Sequence, residues 1–251
     1  MAVVVLKSPG EIAKMRESGR ILARTLRLVS DAIAPGVTPK QLDEMAHRLI
    51  LEEGGQPNFL NYRGFPAAAC ISVNDTVVHG IPTDIPLKEG DIISLDFGVV
   101  KEGWHADSAW TYPVGQISRE AQKLLNVTRE SLYQGIAKAR VGNRIGDIGH
   151  AVQKYVEMHG FSVVRDLVGH GIGRALHEEP SSVPMFGRAR TGDPLREGMT
   201  ICIEPMINQG TWKVDFLDDK WTVKTADGKL SAHFEHTVAI TKDGPEILTK
   251  E

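Results

Sequence analysis

Leu87-Lys88-Glu89-Gly90-Asp91-Ile92-Ile93-Ser94-Leu95-Asp96 returns further along the chain as Leu195-Arg196-Glu197-Gly198-Met199-Thr200-Ile201-Cys202-Ile203-Glu204. The repeat places Asp96 on Glu204. Asp107 to Gly115 similarly resembles Glu235 to Gly244 at a slightly different offset, and Val78-His79-Gly80-Ile81 resembles Gly169-His170-Gly171-Ile172. The segments Pro35 to Gly54 and Val141 to Gly160 also correspond. Two related halves follow, about 10–115 and 120–245, each reading helix–helix–strands, within one catalytic domain spanning 1–251. Two copies make a duplicated α+β domain rather than a solenoid. A pseudo-symmetric pair sets its acids face to face at the junction, where pockets form.

Four helices are signalled by caps and periodicity. Ser8-Pro9-Gly10-Glu11 is a capping box with proline at the first helical position, and Ile12, Met15, Leu22, Leu26, Val29 and Ile33 follow at helical spacing. Thr38-Pro39-Lys40-Gln41 repeats the device, and Gly54-Gly55 stops that helix. Ser118 caps a third helix reaching about Ala139, and a fourth carries Ile148, Val152, Tyr155 and Val156 and ends at His159-Gly160. Among strands, Ile93, Leu95, Phe97 and Val99 alternate with Ser94, Asp96 and Gly98. Trp104 to Val114, Thr200 to Glu204 and His233 to Thr241 read as further strands. Trp221 to Ser231 reads as a hairpin turning at Asp227-Gly228.

Composition narrows the function. The 251 residues are 41% hydrophobic and 24% charged with a formal net charge of -3, which is ordinary for a globular protein. No basic run marks a nucleic-acid partner. No stretch of about 20 apolar residues could cross a membrane. Met1-Ala2-Val3-Val4-Val5-Leu6-Lys7 is too short an apolar run for a signal peptide. The two cysteines, Cys70 and Cys202, fit a reducing compartment, so a cytoplasmic location is expected.

The chemistry lies in the acids. Asp96 and Asp107 flank a turn near Lys101-Glu102-Gly103, and symmetric pairing about that turn sets them directly opposite on one face. Carboxylates so placed repel unless protonated or bridged by a cation. Glu204 and Glu235 repeat the situation on strands rich in apolar residues. His170, framed by Gly169 and Gly171, supplies a nitrogen donor. Four acids and one imidazole form a hard, oxygen-rich donor set, suited to manganese, ferrous iron, cobalt or magnesium-like ions rather than a thiolate zinc site. Two such ions could polarise a carbonyl for hydrolysis. His79 and His177 occupy similar turn contexts. The remaining histidines, His47, His105, His150, His159, His233 and His236, read as structural, with His233 the candidate exception because it shares strand parity with Glu235.

With these residues in view, the chain resembles the type I methionine aminopeptidases. The matching segments are Cys70-Ile71-Ser72-Val73-Asn74-Asp75 with Val78-His79-Gly80-Ile81-Pro82, Asp91 to Gly98, Ala106-Asp107, Gly169 to Gly173, His177-Glu178-Glu179-Pro180, Glu204-Pro205 and Phe234-Glu235-His236-Thr237. Each is weak alone; all in order are specific, and they cover nearly the whole chain. The resemblance implies the pita-bread fold, a curved antiparallel sheet backed by helices. It implies removal of the initiator methionine from nascent chains by hydrolysis assisted by two divalent metal ions (cobalt, manganese, iron or zinc). Asp107, His170, Glu204 and Glu235 would hold one ion, and Asp96, Asp107 and Glu235 the other. Glu204 would shuttle a proton, His177 would bond the carbonyl oxygen, and His79 would contact the scissile nitrogen. Phe59, Tyr62, Phe65, Cys70 and Trp221 would line the methionine pocket, next to Leu176 where some relatives have an aromatic. Asn74 and Ser231 match positions near a monovalent cation. Nascent N-termini are the implied partners, with transient ribosome contact, and the chain is expected to act as a monomer.

The absence of a zinc-finger extension and of a large insertion favours type I over type II. Rival readings are a proline-specific peptidase, whose relatives typically carry an extra N-terminal domain, and a non-catalytic binding module or metal-free creatinase-like enzyme, which would lack the ligands present here.

Overall fold

The computed structural model describes residues 3–250; Met1, Ala2 and Glu251, with the ends of the 1–251 domain expectation, lie outside the described residues. The chain runs α1 (Pro9–Ser30), α2 (Pro39–Glu52), β1 (Gln56–Pro57), β2 (Ala69–Val73), β3 (Thr76–Val78), β4 (Ile92–Lys101), β5 (Trp104–Pro113), α3 (Arg119–Ile136) and α4 (Ile145–Met158). It continues through β6 (Ser162–Val163), β7 (Gly169–Gly171), β8 (Glu178–Val183), β9 (Thr200–Ile203), β10 (Met206–Asn208), β11 (Val214–Phe216), β12 (Val223–Thr225), β13 (Ser231–His233), β14 (His236–Thr241) and β15 (Gly244–Ile247).

The helices fall where their caps place them. Ser8 and Thr38 both accept the third backbone N–H of their helix, while Glu11 and Gln41 reach back to the cap. Each such cap stabilises its helix by about 1 kcal/mol. Leu22, Leu26 and Val29 of α1 and Leu42, Ala46 and Ile50 of α2 bury against Ile93, Leu95, Phe97 and Val99 of β4. Leu124 and Leu132 of α3 and Ile148, Val152 and Val156 of α4 bury against Ile201, Ile203, Val238 and Ile240 of β9 and β14. A helix pair thus backs each of two sheet regions, one ordered β1-β4-β2 with β5 on β4, the other β15-β14-β9-β7-β8. All their strand pairs are antiparallel.

The two regions meet through β5. The Glu235 N–H donates to Ala109 O (2.8 Å), Ser108 Oγ donates to Glu235 O (2.6 Å), and Thr111 Oγ1 donates to His233 O (2.8 Å). Thr237 Oγ1 accepts from Asp107 N (2.9 Å) and donates to Asp107 O (2.8 Å). This seam ties the acids of one half to those of the other.

Three expectations about the strands need correction. Asp96 and Asp107 are not directly opposite: Asp96 pairs with Ala109, and Asp107 with Gly98. The turn is the two-residue Glu102-Gly103, with both φ positive (50° and 74°), and that turn type sets the register two residues away from symmetric pairing. The aspartates keep the same face as diagonal neighbours. Second, Glu204 and Glu235 do not lie inside continuous strands. β9 stops at Ile203 and β10 starts at Met206; β13 stops at His233 and β14 starts at His236. Ile203 pairs with His236 and Met206 with His233, so the same register runs across the gap and sets Glu204 opposite Glu235. Pro205 has no N–H for the ladder, and Glu235 gives its own to β5. Third, the segment from Trp221 to Ser231 turns at Asp227-Gly228 but is not a hairpin. β12 pairs with β11 and β3, while β13 pairs with β10. Thr225 N–H is already committed to Asp75 O, and Asp227 binds Thr211 N–H across the turn.

Gly98 shows why one strand position must lack a side chain. A Cβ there would sit 1.8 Å from Asn58 Oδ1 and 2.6 Å from Phe59 Cε1. Gly98 shares parity with Asp96, so the vacated space lies on the site face and is filled by the side chains of Asn58 and Phe59. Gly98→Ala is expected to destabilise by about 2 kcal/mol through overpacking. Calorimetry should show Tm lower by roughly 4–8 °C; an unchanged Tm would mean Phe59 moves at no cost.

Candidate active site

Each acid reaches the centre from a different piece of secondary structure: Asp96 from β4, Asp107 from β5, Glu204 from the β9–β10 gap and Glu235 from the β13–β14 gap. His170 sits in β7, where Gly169 and Gly171 let the neighbouring strands close in; a Cβ on Gly171 would meet Glu179 O at 2.6 Å. All five line one pocket of about 240 Å³, together with His79, His177, Phe59, Tyr62, Phe65, Cys70 and Trp221. Every residue expected in catalysis, divalent-metal binding or the methionine wall lines it, whereas Asn74 and Ser231, expected near a monovalent cation, do not.

The acid cluster is nearly dry. Asp96 is 8% exposed, Asp107 5% and Glu235 2%. Burial pushes Asp96 up to about 7. It also raises Asp107 well above the carboxylate range, with the charges of Glu235 and Asp96 adding to the effect. Glu204 and Glu235 are raised for the same reasons, burial first and then the neighbouring acids. Asp96 Oδ1, Asp107 Oδ1, Glu204 Oε1 and Glu235 Oε1 are all buried without a hydrogen-bond partner. Such atoms cost about 1–3 kcal/mol each when left unsatisfied. Four orphaned acceptors converging on one point are a cradle for positive charge.

The imidazoles complete the site. His170 Nδ1 lies 2.9 Å from Gly171 O. A carbonyl only accepts, so Nδ1 carries the proton and Nε2 is left with a lone pair. Nε2 is 3.9 Å from Asp107 Oδ2 and 3.8 Å from Glu204 Oε1. Burial lowers His170 to about 4, keeping it a neutral donor at pH 7. His177 is lowered to about 3, by burial and then by the neighbouring His170 and Arg63. Its Nδ1 is 2.9 Å from Tyr62 Oη, and its ring centroid is 4.0 Å from that of His170. His79 is half-buried, desolvation lowers its pKa, and its φ of 57° is a left-handed backbone rarely adopted by non-glycine residues.

His233 was read as structural and is not. Its Nε2 is buried without a hydrogen-bond partner, 4.0 Å from Glu204 Oε2 and 3.8 Å from Glu235 Oε2, and it lines the pocket. The shared parity with Glu235 was the signal; the register opposite Met206 decided the matter. Ligand atoms of Asp107, His170, Cys202 and Glu235 lie within 4.8 Å of one another, and Cys202 shares strand parity with Glu204. The other histidines read as structural are absent from the pocket lining.

On the apolar side, Phe65 and Trp221 meet edge to face with centroids 5.1 Å apart, and Val78, Leu167, Leu176 and Met206 extend the wall.

A buried set of hard oxygen donors and one neutral imidazole, beside an apolar side-chain pocket, defines a metal-dependent hydrolase. Residues 13–242 match the model of metallopeptidase family M24. The chain belongs to that family, and within it to the methionine aminopeptidases. It is 53% identical to a methionine aminopeptidase of Clostridium perfringens, covering 98% of this chain and 99% of that one. Methionine aminopeptidase 1 of Bacillus subtilis is 51% identical over 99% of this chain and all of its own. The crystal structure of the Rickettsia prowazekii methionine aminopeptidase superposes with a TM-score of 0.97 at 44% identity, covering 98% of this chain and 100% of that one. The fold is accordingly the pita-bread fold. Prolidase from Pyrococcus furiosus shares that fold at a TM-score of 0.79 but only 19% identity.

Proposed function

We propose that the chain is a methionine aminopeptidase that removes the initiator methionine from nascent proteins. One observation carries the reading: four carboxylates with orphaned oxygens line the same pocket as an apolar wall that includes Phe59, Phe65 and Trp221. Asp107, His170, Glu204 and Glu235 would hold one divalent ion, and Asp96, Asp107 and Glu235 a second, drawn from cobalt, manganese, iron or zinc. When bound, such ions supply positive charge that polarises the scissile carbonyl and lowers the pKa of water.

The chain's own groups do the rest. Phe59, Tyr62, Phe65, Cys70 and Trp221 take up the methionine side chain and exclude water. The substrate's free α-amine sits beside Asp96, which accounts for cleavage at N-termini only. Glu204, whose proton affinity is raised by burial and by the neighbouring Asp107 and Asp96, accepts a proton and passes it to the leaving amine. His177 is neutral, so with Tyr62 donating to Nδ1 its Nε2–H bonds the carbonyl oxygen as charge develops there. His79 contacts the scissile nitrogen.

Asn74 and Ser231 adjoin, with the Ser231 N–H donating to Asn74 O (2.9 Å), and would flank a monovalent cation. The reading includes one catalytic domain of two related halves, supported by the helix pair behind each sheet region. It also includes action as a cytoplasmic monomer on nascent N-termini, with transient ribosome contact. Among the described residues no helix is long and apolar enough to cross a membrane.

The test is metal-free protein given manganese, ferrous iron or cobalt singly under anaerobic conditions. Methionine should be released from Met-Ala-Ser but not from Leu-Ala-Ser or N-acetyl-Met-Ala-Ser. No release from Met-Ala-Ser with any ion, from folded protein, overturns the reading.

A further inference from the structure

Lys7 is the most unusual charged residue outside the pocket. It is 4% exposed, and lysine is almost never buried so fully without a partner. Its Nζ lies 2.6 Å from Glu178 Oε2 and 3.1 Å from Val5 O. Its own N–H is fixed to Gly198 O at 2.7 Å, so the segment before α1 is tied to the far half of the chain. The stem passes beneath the β7–β8 loop so closely that a Cβ on Gly173 would sit 2.4 Å from Lys7 Cε.

The other oxygen of Glu178 closes that loop. Glu178 Oε1 accepts the backbone N–H groups of Arg174 (2.5 Å) and Ala175 (3.0 Å). Gly173 O is held by the His105 N–H at 2.9 Å. Glu178 is the first residue of β8 and directly follows His177. His177 lines the pocket and Glu178 does not, so the carboxylate grips the loop from outside the pocket while the imidazole faces into it.

We infer that Lys7 is a positioning residue for the peptidase reaction: through Glu178 it fixes the backbone that aims His177 at the scissile carbonyl. The inference rests on the role given to His177 above. Without the ammonium, the Glu178 carboxylate is left partly buried and unpaired, and it turns toward solvent. That turn releases the Arg174 and Ala175 N–H groups and lets the His177 backbone shift. A displacement of about 1 Å at a catalytic group can cost about 100-fold in rate. Phe59, Phe65, Cys70 and Trp221 of the apolar wall lie outside this loop and only Leu176 belongs to it, so KM should move far less than kcat.

Kinetics of four metal-loaded proteins on Met-Ala-Ser test this: Lys7→Met, His177→Ala, their combination, and Lys7→Met/Glu178→Gln. Lys7→Met should lower kcat by about 10- to 100-fold with KM within threefold. In the His177→Ala background the same change should cost no further kcat, although it still lowers Tm. Lys7→Met/Glu178→Gln removes both charges, keeps the acceptor for the loop N–H groups and should recover most of the lost kcat; it also serves if Lys7→Met alone folds poorly. A kcat within twofold of the parent for Lys7→Met overturns the inference. So does a loss of the same size in the His177→Ala background, because Lys7 then acts by another route. If His177→Ala by itself retains full kcat, the role of His177 fails first, and that result is separately visible.

Discussion

Asp107→Asn is expected to lower peptidase kcat/KM by a factor on the order of 1,000, about 4 kcal/mol of transition-state stabilisation. Asp107 stands at the centre of the acid cluster, raised by burial and by both Glu235 and Asp96, and its Oδ2 approaches His170 Nε2 at 3.9 Å. In the proposed site it alone joins Glu235 in touching both ion positions, so an amide there removes a negative charge from each. At a pH high enough to ionise the metal-free cluster, the same substitution should raise the Tm of the metal-free protein, because a neutral amide ends the repulsion with Asp96 and Glu235 at almost constant volume. Opposite signs for activity and metal-free stability separate a functional carboxylate from a structural one. Activity and stability falling together would identify Asp107 as a fold-holding residue instead.

Removing metal should make stability fall with rising pH above about 6.5. Two groups of side chains compete in the metal-free protein. Asp96, Asp107, Glu204 and Glu235 have folded-state pKa values raised by burial, so the folded chain retains protons that the unfolded chain has released. Their contribution is full at low pH and is lost as pH rises. His170, His233 and His236 are lowered to about 4, 3 and 4, chiefly by burial. Their contribution runs the other way: it is complete above about 6.5 and is lost as pH falls. The two groups oppose each other below about 6.5, and above it the acids act alone.

Added divalent metal replaces the protons. At 100 times its Kd it should stabilise by about 2.7 kcal/mol, raising Tm by roughly 5–11 °C. The gain should be larger at pH 8.5 than at pH 6.5, since protons compete less. Thermal scans of stripped and reloaded protein at several pH values measure both effects. A metal-free Tm that climbs between pH 6.5 and 8.5 would contradict the carboxylate cluster as the origin of the pH dependence.

Much of the site was legible in the chain alone. Capping boxes at Ser8 and Thr38, alternation through Ile93 to Val99, and the Leu87/Leu195 repeat are short-range patterns, set by the geometry of helix and strand. They placed Asp96, Asp107, Glu204 and Glu235 on sheet elements of two related halves. The glycines around His170 and the ordered family segments supplied the rest of the pocket residues.

Other features depended on which strand met which. A two-residue turn moved Asp107 from Ala109's place opposite Asp96 to a diagonal one, and backbone torsions at Glu102 and Gly103 are not written in strand alternation. Pro205 marked a break beside Glu204, but only the pairing with β13 and β14 showed a matched break at Glu235. His233 entered the site because its strand lies against Met206, while similar-looking histidines went elsewhere. Lys7 met Glu178 across 171 positions of sequence. The sequence determined the elements, their faces and the donor chemistry, because those follow from neighbours a few residues apart. Tertiary structure alone decided the register of the acids, the recruitment of His233 and the Lys7–Glu178 contact, because each requires two distant segments to share one dry, crowded space.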